Sequence, residues 1–304
     1  MDKTLILDGN NMVAIANAAT DLKAPDGTPT GGIIGFLRSL RAIIEDVNPV
    51  SVVAAWDGGK SRYRVAKFPA YKAHRAAERN LEQQIKYGNL IKQLPLVQEI
   101  TGALGIGNVR IPGYEGDDVV AMLEARVQAK GPDQAAVIVS TDKDMLQLVS
   151  DRCWVYNPIK KSSTMVGNFH ETTGVTRAQY PEFRAMVGDP SDGIPGVFGI
   201  GEGTAKKVLA EHGTFANFLT HYEDRKPKGK KLSDLYAHQE DVRTYMDLMR
   251  LPAPYDGTPA ETWGPAYDLR ALIDMFGRYQ FRSLLGDHTQ FLRPFAGLIG
   301  EQLG

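Results

Sequence analysis

Three short apolar runs, each closed by an aspartate, do most to limit how this chain can fold. Residues 4–7 (TLIL) end at Asp8-Gly9, residues 51–56 (SVVAAW) at Asp57-Gly58-Gly59, and residues 135–140 (AAVIVS) at Thr141-Asp142. Strands buried on both faces read as continuous apolar runs, and helical patterns separate these three. The expectation is an α/β fold with a central, mostly parallel sheet flanked by helices. Ligands of such sheets bind outside the carboxyl ends of the strands, so Asp8, Asp57 and Asp142 would arrive at one edge. An acid after a strand is a common turn residue; three in series are less easily dismissed.

Helical periodicity runs over 31–47 (Ile34, Leu37, Leu40, Ile43, Ile44) and 117–129 (Val119, Val120, Leu123, Val127). Glu115, Asp117 and Asp118 open the second of these helices. Capping chemistry favours acids there by about 0.3–1 kcal/mol each, which explains one or two but does not call for three. Asp142-Lys143-Asp144 opens the next helix, and residues 154–158 (WVYNP) read as a peripheral strand. Past about residue 180 strand patterns vanish and helices dominate, over 181–188, 204–212, 214–221, 234–249 and 268–285. A soft boundary follows: an α/β core over 1–180, with a basic segment at about 60–95, and an all-helical part over 181–304.

At 304 residues, one large core or two smaller ones are expected. The single cysteine, Cys153, excludes an internal disulfide and gives no zinc pattern, which fits a reducing cytoplasm. No apolar run is long enough for a signal peptide or a membrane span. The net charge of −1 conceals a division. Nine carboxylates fall in five groups: Asp8; Asp57; Glu115, Asp117 and Asp118; Asp142 and Asp144; Asp189 and Asp192. Without them the remainder carries +8. From Lys60 to Lys92 there are nine Lys and Arg against two Glu, and the run 225–231 adds five more cations. Gathered acids repel one another, and hard divalent ions such as Mg²⁺ or Mn²⁺ are the usual offset. A polyanion touching the basic segments while its phosphates meet the metal would suit both halves of the pattern. The plain alternative is that basic runs are solvated loops.

Gly196-Val-Phe-Gly199-Ile-Gly201-Glu-Gly203 leads into Lys206 and Lys207, within a glycine-rich hairpin over 188–207. No strand precedes it, so it is neither a P-loop nor a dinucleotide fingerprint. Glycines before a helix let backbone N–H groups approach a phosphate. This suits a backbone clamp of the helix–two-turn–helix kind; an interhelical turn chosen for conformation alone is the alternative.

Taken in order, these motifs resemble the 5′-nucleases: flap endonucleases, phage 5′→3′ exonucleases and the 5′-nuclease domain of bacterial family-A polymerases. The residues that carry the resemblance are Asp8-Gly9; Asp57-Gly-Gly59-Lys60 with Tyr71-Lys72-Ala-His-Arg75; Gly113-Tyr-Glu115-Gly-Asp117-Asp118; Thr141-Asp142-Lys-Asp144; and Gly188-Asp189-Pro-Ser-Asp192-Gly-Ile194-Pro-Gly196-Val-Phe-Gly199-Ile-Gly201. Any one motif is weak, and the series over roughly residues 1–285 is specific.

The resemblance implies a PIN-like core, a helical arch or clamp, and a two-metal site using Mg²⁺, with Mn²⁺ able to substitute. Asp8, Asp57, Glu115 and Asp117 would surround one ion, and Asp142, Asp144 and Asp189 the other. Asp118 and Asp192 would help directly or through water. It further implies that Lys72 and Arg75 contact the scissile phosphate, that Tyr71 stacks on a base or packs under the arch, and that Arg64 and Lys67 touch the DNA backbone. Gly199, Gly201, Lys206 and Lys207 would grip the duplex, with a K⁺ ion at the glycine hairpin. Gly193 and Gly203 depart from the family's usual Asn and Lys, and Asn10-Asn11 from its usual sequence after the first strand. The implied protein is a cytoplasmic monomer, bacterial or phage-encoded, that cuts DNA at flaps, nicks, single-strand/double-strand junctions and 5′ ends to leave 5′-phosphates, with RNA primers as a further candidate substrate. A flap- or fork-binding protein without catalysis, or a ribonuclease with a related core, are the alternatives. The acids, all retained, disfavour the first, and the helical part with its hairpin the second.

Overall fold

The computed structural model describes residues 1–304 apart from 78, 226, 265, 282–283, 285–287, 297 and 301–304. Five strands, β1 (Asp2–Asp8), β2 (Ser51–Trp56), β3 (Gly107–Arg110), β4 (Gln134–Val139) and β5 (Cys153–Asn157), run parallel in the order β5-β4-β1-β2-β3. Antiparallel strands β6 (Ser162–Thr164) and β7 (Glu261–Trp263) extend the two ends, and β8 (Ile299–Gly300) pairs with the start of β2.

Side chains alternate across the pleat. Leu5, Leu7, Val52, Ala54, Val137 and Val139 pack under α1 (Gly9–Ala19), α2 (Gly31–Val47), α5 (Leu81–Ala103) and α13 (Leu269–Arg278). Ile6, Val53, Ala55, Ala136 and Ile138 face α6 (Gly116–Ala129) and the helical part. That part comprises α7 (Phe169–Thr173), α8 (Tyr180–Val187), α9 (Glu202–His212), α10 (Phe215–His221), α11 (Lys230–Ala237) and α12 (Gln239–Met249). The core beneath it is continuous, from Ile138 through Met186 and Leu209 to Leu248, so hydrophobic packing carries on across the expected boundary near residue 180.

Four expectations need correction. The strand read as peripheral, β5, lies inside the sheet, because β6 pairs on its outer side. The C-terminal part is not all-helical, since β7 returns to pair with β3. The helix expected over 234–249 breaks at His238 into α11 and α12. The helix expected over 268–285 stops at Arg278, and residues 282, 283 and 285 of that range lie outside the described residues.

The basic segment is helical over much of its length. It forms α3 (Arg62–Lys67), α4 (His74–Ala77) and the start of α5; Lys226 of the second basic run lies outside the described residues. Arg64, expected to touch DNA, is only 1% exposed. Its guanidinium donates to both oxygens of Asp118 at 2.8 Å, to Glu115 Oε2 at 3.0 Å and to the Leu248 carbonyl at 2.7 Å. Asp118 also accepts the Ala253 N–H at 2.7 Å. One fork thus ties α3 to α6 and to the chain beyond α12. Burial of so strong a charge is tolerated because each donor meets a carboxylate or carbonyl.

Removing one partner leaves the other charged and dry. Arg64→Ala is expected to cost about 3–5 kcal/mol in urea unfolding. Adding Asp118→Asn, which removes the orphaned charge yet can still accept the Ala253 N–H, should recover much of it. A single-variant loss below about 1 kcal/mol would show that the pair carries little.

Candidate active site

The sheet order places β1 beside β4, where successive connections depart to opposite sides, and such switch points open a crevice at the strand ends. Asp8 closes β1 there. Ser140, just after β4, donates its hydroxyl to Asp8 Oδ2 at 2.8 Å, and the Asn11 N–H reaches Oδ1 at 3.2 Å. The Asn11 side chain donates to Thr141 Oγ1 at 3.0 Å and accepts the Thr141 N–H at 3.1 Å, stitching the two strand ends together. Asn10 accepts the Asp57 N–H at 3.0 Å from the end of β2. The two asparagines that depart from the family pattern therefore hold three strand ends in register.

Asp57 meets the start of α6 because Gly58 allows it. A Cβ at Gly58 would lie 1.8 Å from the Ile111 carbonyl oxygen. Its N–H donates to the Tyr114 carbonyl at 2.9 Å, and its carbonyl accepts the Gly113 N–H at 2.8 Å. With the loops so close, Asp57 Oδ1 accepts the Gly116 N–H at 2.6 Å. Asp142 caps the 3₁₀ turn Lys143–Leu148, accepting the Asp144 N–H at 2.8 Å while donating its own N–H to Ser140 Oγ at 3.0 Å.

Three cations bind this acidic edge from within. Arg184 of α8 donates to Asp144 Oδ1 and to Asp189 Oδ2, both at 2.8 Å. Lys72 Nζ lies 2.7 Å from Glu115 Oε1 and 3.4 Å from Asp192 Oδ2. Arg75 donates to Asp192 Oδ1 at 2.6 Å. Lys72 and Arg75 do not share one helix face: Lys72 sits before α4 at φ 52°, fixed by its N–H bond of 2.8 Å to the Asp192 carbonyl. They converge on Asp192 all the same. Tyr71 is buried, its hydroxyl donating to Glu115 at 2.7 Å and lying 3.0 Å from Asp192. Of the two roles open to Tyr71, packing fits this geometry and base stacking does not, because no ring face is left open.

The electrostatics join all five acidic groups. Burial pushes the Asp8 carboxyl up to about 7, with Asp142 and Asp57 adding to the rise. Desolvation raises Asp57, helped by Glu115, and raises Asp142, helped by Asp192 and Asp189. It also lifts Asp144 to about 6 and Asp117 well above the usual range. Burial would raise Glu115 as well, but Lys72, Tyr71 and Arg64 outweigh it and hold this acid low. Ser191 and Arg184 do the same for Asp189. Repulsion links Asp8 to Asp57 and Asp142, Asp57 to Glu115, and Asp142 to Asp189 and Asp192, so the five groups lie near one another at the strand ends.

Other expected residues sit differently. Glu115, Asp117 and Asp118 offer oxygens within 4.8 Å of one another. Both oxygens of Asp118 are engaged by Arg64 and Ala253, and both of Glu115 by Lys72, Tyr71 and Arg64. Lys67 is ion-paired with Asp247. Gly199, Gly201 and Lys207 are exposed; Lys206 is half-buried against Phe183 and lies 3.4 Å from Glu202. Sequence reasoning missed Arg184, whose only trace is a lone cation on an apolar helix four residues before Gly188, and Ser140, which reads as the end of a strand.

The raised Asp8 value has a consequence for stability. The native state holds its proton up to about 7 while the unfolded chain releases it near 3.8. Between those values the folded form binds more protons, so without metal its stability falls as pH rises. Asp8→Asn should flatten this slope and stabilise the chelated protein at pH 8 by up to about 4 kcal/mol, at 1.36 kcal/mol per unit. Urea unfolding across pH in chelator checks it; a parallel slope in the variant would remove Asp8 as the cause.

Known proteins match this chain along most of its length. Residues 3–176 match the 5′-3′ exonuclease N-terminal resolvase-like domain, and residues 175–258 the 5′-3′ exonuclease C-terminal SAM fold. A 5′-3′ exonuclease of Streptomyces coelicolor is 38% identical over 277 residues, covering 84% of this chain and 89% of that protein. DNA polymerase I of Mycobacterium tuberculosis is 32% identical over 290 residues; the match takes in 92% of this chain but 31% of the polymerase, so the chain spans about a third of such relatives. In fold, the bacteriophage T5 5′-exonuclease with bound zinc superposes with a TM-score of 0.72 at 20% identity, over 95% of this chain and 99% of that one. The catalytic core of Rad2 in complex with DNA gives 0.59 at 19% identity, over 97% and 92%. With its acids at the strand ends and its helical part behind the glycine hairpin, the chain belongs to the 5′-3′ exonuclease family.

Proposed function

We propose that the chain is a divalent-metal-dependent 5′-nuclease that hydrolyses DNA phosphodiesters at flaps, nicks and 5′ ends, leaving 5′-phosphate and 3′-hydroxyl products. What supports this reading is that carboxylates from five chain segments lie near enough to repel one another, with Lys72 and Arg75 paired to Glu115 and Asp192 among them.

The donor set fits a metal. It offers only carboxylate oxygens, the hard ligands that Mg²⁺ and Mn²⁺ favour. Several of these acids are raised by desolvation and by one another, which is the cost that bound cations offset. Asp8, Asp57, Glu115 and Asp117 are proposed to hold one ion, and Asp142, Asp144 and Asp189 the other, with Asp192 beside them. Two such ions supply polarised phosphate oxygens and an acidified water for in-line hydrolysis. K⁺ at the glycine hairpin is proposed on the resemblance alone.

The chain's own residues supply positioning and charge. Lys72 and Arg75 reach Asp192 from one side of the cleft, and a phosphate entering there offers both an alternative anionic partner. Their charges would stabilise the negative charge that develops on it. Asn10, Asn11 and Ser140 keep the strand-end acids in place. Among the described residues no helix is long and apolar enough to cross a membrane, and action as a cytoplasmic monomer is part of the proposal.

Incubation of a 5′-labelled DNA flap with Mg²⁺, with and without chelator, tests the reading. Cleavage that chelator abolishes is expected; an uncut flap under both conditions would leave a non-catalytic flap-binding protein. An RNA hairpin cut in preference to the flap would favour a ribonuclease. Asp142→Ala should end cleavage while flap binding persists. Lys72→Ala should slow single-turnover cleavage by about 10²–10³-fold; a change in affinity alone would make Lys72 a backbone contact.

A further inference from the structure

The glycine hairpin carries a residue that the nuclease reading leaves without a role. Phe198 is 88% exposed, more than any other large hydrophobic side chain among the described residues. A scattered surface aromatic needs no explanation by itself, but this one is held in place. Its neighbours Val197 and Ile200 are buried, and the Ile200 N–H closes the turn on the Val197 carbonyl at 2.9 Å. Gly196 and Gly199 flank it at φ 65° and 80°, where a larger side chain would be strained. The ring is thus displayed by a turn anchored on both sides.

Beside it lies backbone open to an anion. The N–H groups of Gly199 and Gly201 have no acceptor within the protein among the described residues, and a Cβ at Gly199, Gly201 or Gly203 would meet nothing within 4 Å. Gly201 caps α9, and the exposed Lys207 lies six residues further along it. A phosphate seated on these N–H groups would place a duplex against the turn, and the ring would face the sugars next to that phosphate. Minor-groove contacts of this kind are apolar and tolerant of sequence.

We propose that Phe198 is a positioning and specificity residue whose ring packs on deoxyribose edges in the minor groove, selecting duplex over single strand and DNA over RNA. The 2′-hydroxyl of RNA lies in that groove, and a ring pressed on it would strip its water without offering a hydrogen bond. This rests on the nuclease reading above. It differs from the charge-based grip of the rest of the hairpin because an apolar contact releases no counterions.

That difference makes it testable. Binding to a fluorescent 5′-flap is measured by anisotropy, with Ca²⁺ replacing Mg²⁺, over a salt series for the wild type, Phe198→Ala and Lys207→Ala. Phe198→Ala is expected to lose about tenfold in affinity at every salt concentration, with the same slope against salt. Lys207→Ala should lower that slope by about one. Phe198→Ala should bind a single-stranded oligonucleotide as the wild type does. It should also lose the wild type's preference for an all-DNA duplex over one with a ribonucleotide strand. The melting temperature should not move, since the ring packs on nothing. Wild-type affinity for the flap in Phe198→Ala, a changed salt slope, or an equal loss on single strand would each overturn the proposal. A wild-type protein that binds no flap at any salt would instead overturn the nuclease reading.

Discussion

The bidentate pair between Arg64 and Asp118 is the joint that the rest of the site depends on. Taken alone, a buried ion pair is a poor source of stability, because desolvating two charges cancels most of their attraction. Its value here is geometric. By fixing α3 against α6, it sets where the chain leaves Lys67, and the next turn then brings Tyr71 and Lys72 to Glu115 and Asp192. A hydrophobic contact of the same area would tolerate sliding. A two-pronged fork with the Leu248 carbonyl on its third side does not.

The same pairing changes the meaning of the charge pattern. Counting the nine acids apart leaves a remainder of +8, as if the cations were free to meet a partner. Within the basic segment, Arg62 pairs with Asp256, Arg64 with Asp118, Lys67 with Asp247, Lys72 with Glu115, Arg75 with Asp192 and Lys86 with Glu82. Two of these pairs are surface contacts of little energy. Arg64 and Lys72 are turned inward instead, and together they hold Glu115 low. Net charge by segment is blind to this, because it cannot tell a cation aimed outward from one folded inward.

The sequence made the central strands legible because burial on both faces demands unbroken apolar runs, and β1, β2 and β4 have them. It hid β3, β6 and β7, which are three or four residues long and exist through their neighbours' hydrogen bonds rather than their own pattern. The acids were legible because strand ends and helix starts are marked in sequence. Arg184 was not: a cation in an apolar helix looks like a solvated face until the fold turns it toward Asp144 and Asp189. Ser140, Asn10 and Asn11 look like ordinary capping residues. Their role appears only when three strand ends lie side by side.

The two halves of the acidic cleft come from different layers, and their joining follows from where the cations sit. Asp8, Asp57, Glu115 and Asp117 belong to the sheet edge and to α6. Asp189 and Asp192 belong to the hairpin after α8. Hydrophobic packing joins the two layers through Ile138, Met186 and Ile194, while the acidic surfaces above it repel each other. Arg184 fastens Asp144 of the sheet side to Asp189 of the hairpin, while Tyr71 and Lys72 fasten Glu115 to Asp192. Each of these donors therefore touches one acid from each half. Where those donors reach, Glu115 and Asp189 stay low; Asp8, Asp57 and Asp142 keep their mutual repulsion, the part that bound cations would offset.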